Sequence, residues 1–533
     1  MPTSPNLVTL PGEVRDEVYG HYFRVEGGYV FDSNSEKLTA VDGGPIHLSL
    51  IQTCRSIAND TRHLPFRLND ISFSTLCSPK WSAWAGRYQY QSNFLAILKG
   101  DMLYQLQGRH MSPDLEAALE QKFPRLMPDF KNRLEREYRP SIQYSRRNSN
   151  ALRYSKDFVD DRVAVDSRFS QIRKWGEDVT MSREAIAFSL RFVAKSQRPK
   201  LAKLIEEILP GWTLDHDPQE LLDLTLDPWD IPSKKTLWRI GQILRDDYAW
   251  EHIHKWHHGF REKYRFSAAA VAIRFLRELS AEQRQHLRHV TLVEDAYAVC
   301  SSSCHAMGLV DICKENPKLQ IRRHVKLYRS PAASFGRALI TLTYSDLSRL
   351  PSRNTRSDFV TPLVMASEIA QWLKEAAFLP HAGMPPNSFT LFLDGEPHKA
   401  FYTRVFESVL LLGEGLTQAY GKLLQMRPHQ FQERVYWDLY SDHLSMALKL
   451  LTDQDSTPRR TSDTALICTN FDVGRRPDVE KLVVDRLHWD SMHWDMAFIM
   501  VGLNVEVRPS AFGQWHDNVL RYFEQKPPGM EDL

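Results

Sequence analysis

Two histidines one helical turn apart are the plainest candidates for metal chemistry in the sequence. His254 and His258 lie in the stretch 251–258. On a helix, both would project from one face, a spacing that can chelate zinc, with Glu251 about one turn ahead of His254. The stretch lacks the H-E-x-x-H pattern that supplies two ligands and a general base. We therefore expect ordinary histidines here and no cofactor, and we keep a zinc site as the alternative.

The six cysteines are too few and too scattered to form a disulfide framework in a chain of 533 residues. Cys300, Cys304 and Cys313 lie close in sequence, and His305 beside them could complete a set of four zinc ligands. No C-x-x-C knuckle frames this set. We expect reduced, mostly buried thiols, as in an intracellular protein.

Histidine and aspartate are concentrated over residues 485–495, where their spacing could form an acid–base pair. No Gly-x-Ser-x-Gly elbow or reactive-cysteine motif accompanies them. Gly413 and Gly415 lack the rest of a phosphate-binding loop. We therefore predict no catalytic residue and do not expect an enzyme, although an enzyme with an unrecognised motif stays an alternative.

The composition limits the class of protein that must position these residues. Hydrophobic residues make up 42% of the chain and charged residues 25%, close to the average for a globular protein. Lys and Arg number 68 against 66 Asp and Glu, which argues against a dedicated nucleic-acid binder. No apolar run approaches the roughly 18–20 residues that span a bilayer, and the N-terminus lacks the pattern of a secretory signal. We expect an intracellular protein of the cytoplasm or nucleus, without membrane association.

Hydrophobic periodicity predicts a predominantly helical α+β protein with three segments. Residues 1–80 combine two helices with β structure. Residues 81–265 are helical and are interrupted by a polar linker near 139–156. Residues 266–533 alternate helices with short strands and form a mixed α/β body.

Within the first segment, the spacing predicts a helix over 12–23, a hairpin or loop, a second helix over 47–61 and a strand over 68–73. Apolar residues recur at helical intervals in both helices. We expect four of them to be buried against one another: Val14, Val18, Ile51 and Cys54.

This segment resembles the F-box-like, or two-ExR, module of a large class of filamentous-fungal proteins. The two signature tripeptides of that module match Glu13-Val14-Arg15 and Asp60-Thr61-Arg62, although Asp60 stands where glutamate is usual. Further matches surround them: Leu10, Pro11, Leu50, Ile51, Cys54 and Arg55. Residues 266–327 also resemble the body of uncharacterised filamentous-fungal proteins.

The resemblance implies a fold and a function for the segment. An F-box-like module binds a Skp adaptor and so couples its protein to a cullin ubiquitin ligase. Four residues would form or adjoin the adaptor contact: Leu10, Pro11, Val14 and Val18. Three others would pack the helices together: Leu50, Ile51 and Cys54. Arg15 and Arg62 would hold the helices through carboxylates or helix-end carbonyls.

We therefore expect a protein-interaction protein, an F-box-like substrate receptor of a cullin ubiquitin ligase. In the alternative, the apolar residues of the module form an internal helix pair. The protein is then a scaffold or regulator that binds no adaptor. The sequence does not predict the oligomeric state or identify the substrate.

Ser149 is a candidate phosphorylation site. Arg146 and Arg147 precede it in a polar stretch without helical periodicity, a pattern typical of the substrates of basophilic kinases. The alternative is a solvated, unmodified loop. Lys and Arg outnumber Asp and Glu over residues 131–200, so a phosphate at Ser149 would change a basic surface.

Overall fold

The computed structural model describes twelve stretches of the chain. They are residues 7–76, 78–107, 111–124, 127, 130–131, 179–244, 256, 259–329, 362–429, 442–453, 465–503 and 521–527.

A seven-stranded sheet forms the centre of the described structure, in the order β2-β1-β3-β5-β6-β7-β8. Strands β1 and β2 form an antiparallel hairpin, and all the other neighbours in this sheet are parallel. Two further strands, β4 and β9, form a separate antiparallel pair. The strands are β1 Tyr29–Asp32, β2 Lys37–Ala40, β3 Ile71–Ser74, β4 Phe260–Glu262, β5 His289–Glu294, β6 Gln320–Lys326, β7 Phe389–Asp394, β8 Ile467–Thr469 and β9 Phe523–Gln525.

One face of the large sheet is buried and the other is partly exposed. Burial alternates along β5, β6 and β7, as the period of two in a strand requires. The parallel strands follow one another in chain order, and right-handed crossovers then place the connecting helices on a single face. The buried face therefore packs on the helical layer.

Nineteen α-helices are described, and the first ten precede β4. They are α1 Gly12–Phe23, α2 Arg55–Thr61, α3 Leu64–Leu68, α4 Pro79–Gln107, α5 Pro113–Lys122, α6 Val179–Ser196, α7 Arg198–Ile208, α8 Trp212–Asp215, α9 Pro218–Asp223 and α10 Lys234–Leu244. The others are α11 Ala268–Glu278, α12 Ala281–His286, α13 Val310–Glu315, α14 Pro362–Phe378, α15 Lys399–Val405, α16 Leu412–Met426, α17 Asp442–Thr452, α18 Val479–Asp485 and α19 Ser491–Leu503.

Short helical turns of other types extend this set. The 3₁₀ turns are Leu7–Thr9, Ser49–Gln52 and Ser302–Leu309, and a π-helical turn, Phe406–Leu411, joins α15 to α16. None of the described helices is long and apolar enough to cross a bilayer.

The prediction of a predominantly helical α+β protein is confirmed. The sheet joins β1, β2 and β3 of the first predicted segment to β5–β8 of the third. Two hydrophobic cores are nevertheless present, a large one and a small cluster of Tyr19, Phe23 and Ile57. The boundaries at residues 80 and 265 stay predictions.

The single helix predicted over 47–61 is wrong, because the chain breaks near Cys54. A 3₁₀ turn, Ser49–Gln52, precedes the break, and Cys54 is extended, with φ −158° and ψ 164°. The Thr53 hydroxyl donates to the Leu50 carbonyl at 2.8 Å, a local bond that competes with helix formation. Helix α2 therefore begins only at Arg55.

Candidate protein-interaction face

Helix α1 has apolar residues on two adjacent stripes, and only one of them is buried. Tyr19 and Phe23 are buried in the small core with Ile57. Val14 and Val18, one turn apart on the neighbouring stripe, remain 43% and 41% exposed. The predicted mutual burial of Val14, Val18, Ile51 and Cys54 is therefore wrong.

The size of the side chains explains which stripe faces inward. Burial of apolar surface is worth about 25 cal/mol per Å², and each aromatic ring buries more surface than a valine. Turning Tyr19 and Phe23 into the core places Val14 and Val18 in solvent, because successive residues on a helix are about 100° apart.

The exposed stripe continues along the helix. Tyr22, one turn after Val18, is 40% exposed, and its hydroxyl lies 2.9 Å from the Ser49 hydroxyl. Leu48, next to Ser49, is also exposed. We call Val14, Val18, Tyr22 and Leu48 the α1 face.

Leu10 and Pro11 lie at the N-terminal end of this helix. Pro11 is exposed, and its carbonyl accepts from the Arg15 amide at 3.1 Å, which begins the helical hydrogen bonds. Leu10 is half-buried. Glu13 is exposed in the first turn, where a carboxylate complements the helix dipole.

The second element of the module contacts the small core unevenly. Leu50 and Ile51 are half-buried and pack against it, whereas Cys54 and Arg55 are exposed. The free thiol of Cys54 therefore does not pack the helices together, which corrects the role that the resemblance implies for it.

The two tripeptides that resemble the signature, residues 13–15 and 60–62, meet through an ion pair. Arg15 Nη1 donates to Asp60 Oδ2 at 2.7 Å, and both side chains are partly exposed. Arg62 of the second tripeptide turns the other way and binds Glu282 of α12 at 2.8 Å. One arginine thus joins α1 to α2, and the other joins the module to the rest of the protein.

Asn69 fixes the C-terminal end of α1 from within. Its side chain is buried and accepts from the Val25 amide at 2.7 Å. Its amide nitrogen donates to the carbonyls of Phe23 and Pro65, at 2.8 and 2.9 Å. The Asn69 amide therefore joins the end of α1 to α3. These hydrogen bonds fix the position of the helix that carries the α1 face.

A buried hydrogen-bonded pair, Ser267 and His305, is the closest approach to catalytic chemistry in the described residues. His305 Nε2 donates to the Cys300 carbonyl at 3.0 Å, so Nδ1 accepts from the Ser267 hydroxyl at 2.6 Å. Burial lowers the pKa of His305 to about 3. Ser267 also caps α11 by accepting from the Ala270 amide. The pair is buried away from solvent and secures the helix start.

An ion pair, Glu294 with Arg323, lies beside this network and is also buried. Arg323 Nη2 and Nε donate to Glu294 Oε1 at 2.6 and 2.9 Å. Glu294 also accepts from the Ala268 and Ala269 amides at the start of α11. Arg323 further donates to the Ser302 carbonyl. The sequence does not predict this pair, because charged residues at buried strand positions are rare.

The cysteines predicted as buried thiols are placed in the same region. Cys300, Cys304 and Cys313 are buried, and burial raises the pKa of each thiol. Among the residues that the structure describes, no group of three or more His, Cys, Asp or Glu side chains could hold a metal ion. His254, His258 and Ser149 lie outside the described residues.

No known family model, curated protein or solved structure matches the chain. The proposal for the function is based on the α1 face and on the Arg15–Asp60 and Asn69 contacts that hold α1.

Proposed function

We propose that the protein is an F-box-like interaction protein whose α1 face binds a Skp-type adaptor, so that the remainder of the chain presents a substrate to a cullin ubiquitin ligase. The observation that carries this proposal is the exposure of Val14, Val18 and Tyr22 at intervals of one helical turn. These residues adjoin the sequence features that resemble an F-box-like module.

An exposed apolar stripe at this spacing suits recognition of one helix by an apolar groove. Single exposed apolar residues are ordinary on protein surfaces, but a stripe on one helix face is a directed feature. The partner then contacts residues i, i+4 and i+8 of α1. Glu13 and Glu17 are exposed on the adjoining stripe, so they favour a partner with basic residues at the edge of its groove.

The support of the stripe adds to this argument. The Arg15–Asp60 ion pair and the Asn69 hydrogen bonds hold α1 in place before any partner arrives. A helix that is already ordered loses less conformational entropy on binding than a disordered segment. Among the described residues, Val14 and Val18 stay exposed and are not covered by a partner helix, which disfavours the alternative of a closed helix pair.

The test is adaptor binding by a variant that changes the stripe alone. We expect Val14→Asp with Val18→Asp to abolish co-purification with a purified Skp-type adaptor. The melting temperature should fall by no more than about 2–3 °C, because exposed substitutions cost little stability.

The matched control is Met492→Asp with Met496→Asp, two exposed residues one turn apart on α19. This control should bind the adaptor like the parent chain. If the parent chain itself binds no adaptor, or if the stripe variant still binds, the proposed function is wrong. Binding by the parent that is lost together with early melting of the stripe variant would instead show an internal role for the stripe.

A further inference from the structure

A cluster of basic side chains lies where the N-terminal helices meet the body of the protein. His63 at the start of α3 and His286 at the end of α12 face each other, with ring centroids 4.9 Å apart and an interplanar angle of 35°. Arg67 follows His63 by one helical turn, and Arg288 follows His286 by two residues. We call these four residues the junction cluster.

Within the part of the chain that the structure describes, acidic side chains neutralise little of this cluster. Glu282 is occupied by its ion pair with Arg62. Asp16 is the acid that acts on His63. Arg67 is exposed and forms no ion pair or hydrogen bond through its guanidinium with any described side chain. Arg288 uses Nη1 to donate to the carbonyls of Gln285 and Leu287, at 2.9 and 2.7 Å.

Burial and nearby positive charges lower the pKa values of two members of the junction cluster, His63 and Arg288. Burial lowers the pKa of His63, and the positive charges of His286, Arg67 and Arg62 lower it further, against Asp16. Burial also lowers the pKa of Arg288, and the charge of Arg67 adds to that effect. Like charges held together without a counterion destabilise the fold, and an anion bound among them removes that cost.

We propose that the junction cluster binds a phosphomonoester dianion, presented by a phosphorylated side chain of a protein partner or by a small phosphate compound. Arginine forks match phosphate oxygens in geometry, and two of them with two imidazoles provide donors for a doubly charged group. Half of the cluster belongs to the N-terminal helices and half to the body. A bound phosphate therefore bridges the two. This site is separate from the α1 face and does not depend on adaptor binding.

The test uses thermal unfolding of the full chain in inorganic phosphate, compared with sodium chloride at the same ionic strength. A ligand that binds only the folded protein raises the melting temperature. We expect a rise of at least about 2 °C at pH 7.5, where the phosphate dianion predominates. Arg67→Gln should lose at least half of the rise, and Arg67→Lys should retain part of it.

The control is Lys235→Gln, which removes an exposed charge from α10, outside the cluster. It should leave the phosphate effect unchanged. Arg67 holds no other described group, so its variants fold, and their melting temperatures in chloride provide the baseline. Equal stabilisation of parent and Arg67→Gln by phosphate would overturn the proposal, as would no difference between phosphate and chloride.

A second arm identifies the source of the phosphate. Fluorescent peptides carrying phosphoserine or phosphothreonine are compared with their unmodified forms. Tighter binding of some phosphopeptides than of inorganic phosphate, lost in Arg67→Gln, assigns the site to a protein partner. Phosphopeptides that bind no better than inorganic phosphate assign it to a small phosphate. Equal affinity for phosphopeptides and for a DNA duplex would show general attraction to polyanions and would overturn the proposal.

Discussion

Arg15 Nη1 donates to Asp60 Oδ2 at 2.7 Å, across 45 residues of sequence, and so joins the two tripeptides that resemble the ExR signature. Asp60 is one methylene shorter than the glutamate usual at that position, and its carboxylate still reaches the guanidinium. The same helix presents Val14 and Val18 to solvent. The ion pair therefore ties the helix that carries the α1 face to α2.

Exchanging the two charges tests this relationship. Arg15→Asp and Asp60→Arg should each lower the free energy of unfolding by about 0.5–1 kcal/mol, because the pair is partly exposed. The double variant should recover part of that loss, since the opposite charges meet again. Urea unfolding of all four proteins measures the coupling. Arg55→Asp, at an exposed position outside the pair, is the control, and a coupling of zero would contradict the structural role.

Truncation of the neighbouring residues Tyr22 and Phe23 should lower the free energy of unfolding by very different amounts. Phe23→Ala removes a buried ring from the small core and should cost about 3–5 kcal/mol. Tyr22→Ala removes an exposed ring and one hydrogen bond, so its cost should be about 1 kcal/mol. Denaturant unfolding provides the measurement. If Phe23→Ala and Tyr22→Ala lowered the free energy of unfolding by similar amounts, the burial of Phe23 and the exposure of Tyr22 would be contradicted.

Breaking the buried ion pair beside α11 should be costly. Arg323→Met leaves Glu294 charged and buried and should lower the free energy of unfolding by about 3–5 kcal/mol. Arg198→Met removes an exposed partner of Asp217 and should cost less than about 1 kcal/mol. Equilibrium unfolding in urea compares the two. Equal effects of Arg323→Met and Arg198→Met would contradict the structural role of the buried pair.

The free energy of unfolding should fall in acid, because His305 is buried and neutral in the folded protein. Its pKa is about 3 in the folded protein and about 6.5 in the unfolded chain, so the unfolded chain binds the proton first. The contribution of His305 is present above pH 6.5 and is lost as the pH falls from 6.5 towards 3. The free energy of unfolding between pH 7 and pH 4 should decline less steeply in His305→Gln than in the parent. Identical slopes would show that His305 is not the buried neutral group.

Local rules anticipated much of the fold. Helix α1 has the bounds that periodicity indicates, and Ser280 forms with Gln283 the capping box that this spacing of serine and glutamine favours at a helix start. Strands β5 and β6 carry the β-branched and alternating apolar residues that favour strands, and burial alternates along both. These elements depend on neighbours in sequence, which is why the sequence specifies them.

Other features depend on competition between distant contacts. Both stripes of α1 have helical spacing, and the larger aromatic stripe turns inward because Tyr19 and Phe23 pack with the distant Ile57. The strand predicted over 68–73 begins later, at Ile71, because Leu68 ends α3 and Asn69 turns the chain. Phe523 begins β9, where it lies opposite Glu262 of β4, a partner 261 residues away in the chain. The junction cluster likewise exists only where α3 meets α12.

The pairing of β3 with β5 also imposes an order on folding. The Thr75 side chain and the Val293 carbonyl, at the ends of these strands, are 218 residues apart in the chain. Closing so long a loop costs entropy before the pairing returns any stability, and such long-range contacts form slowly. On the ribosome, β3 therefore emerges long before its partner exists and presents an unpaired edge. Strands β1, β2 and β3 can pair with one another first, but the edge of β3 that β5 covers stays open until β5 has been synthesised.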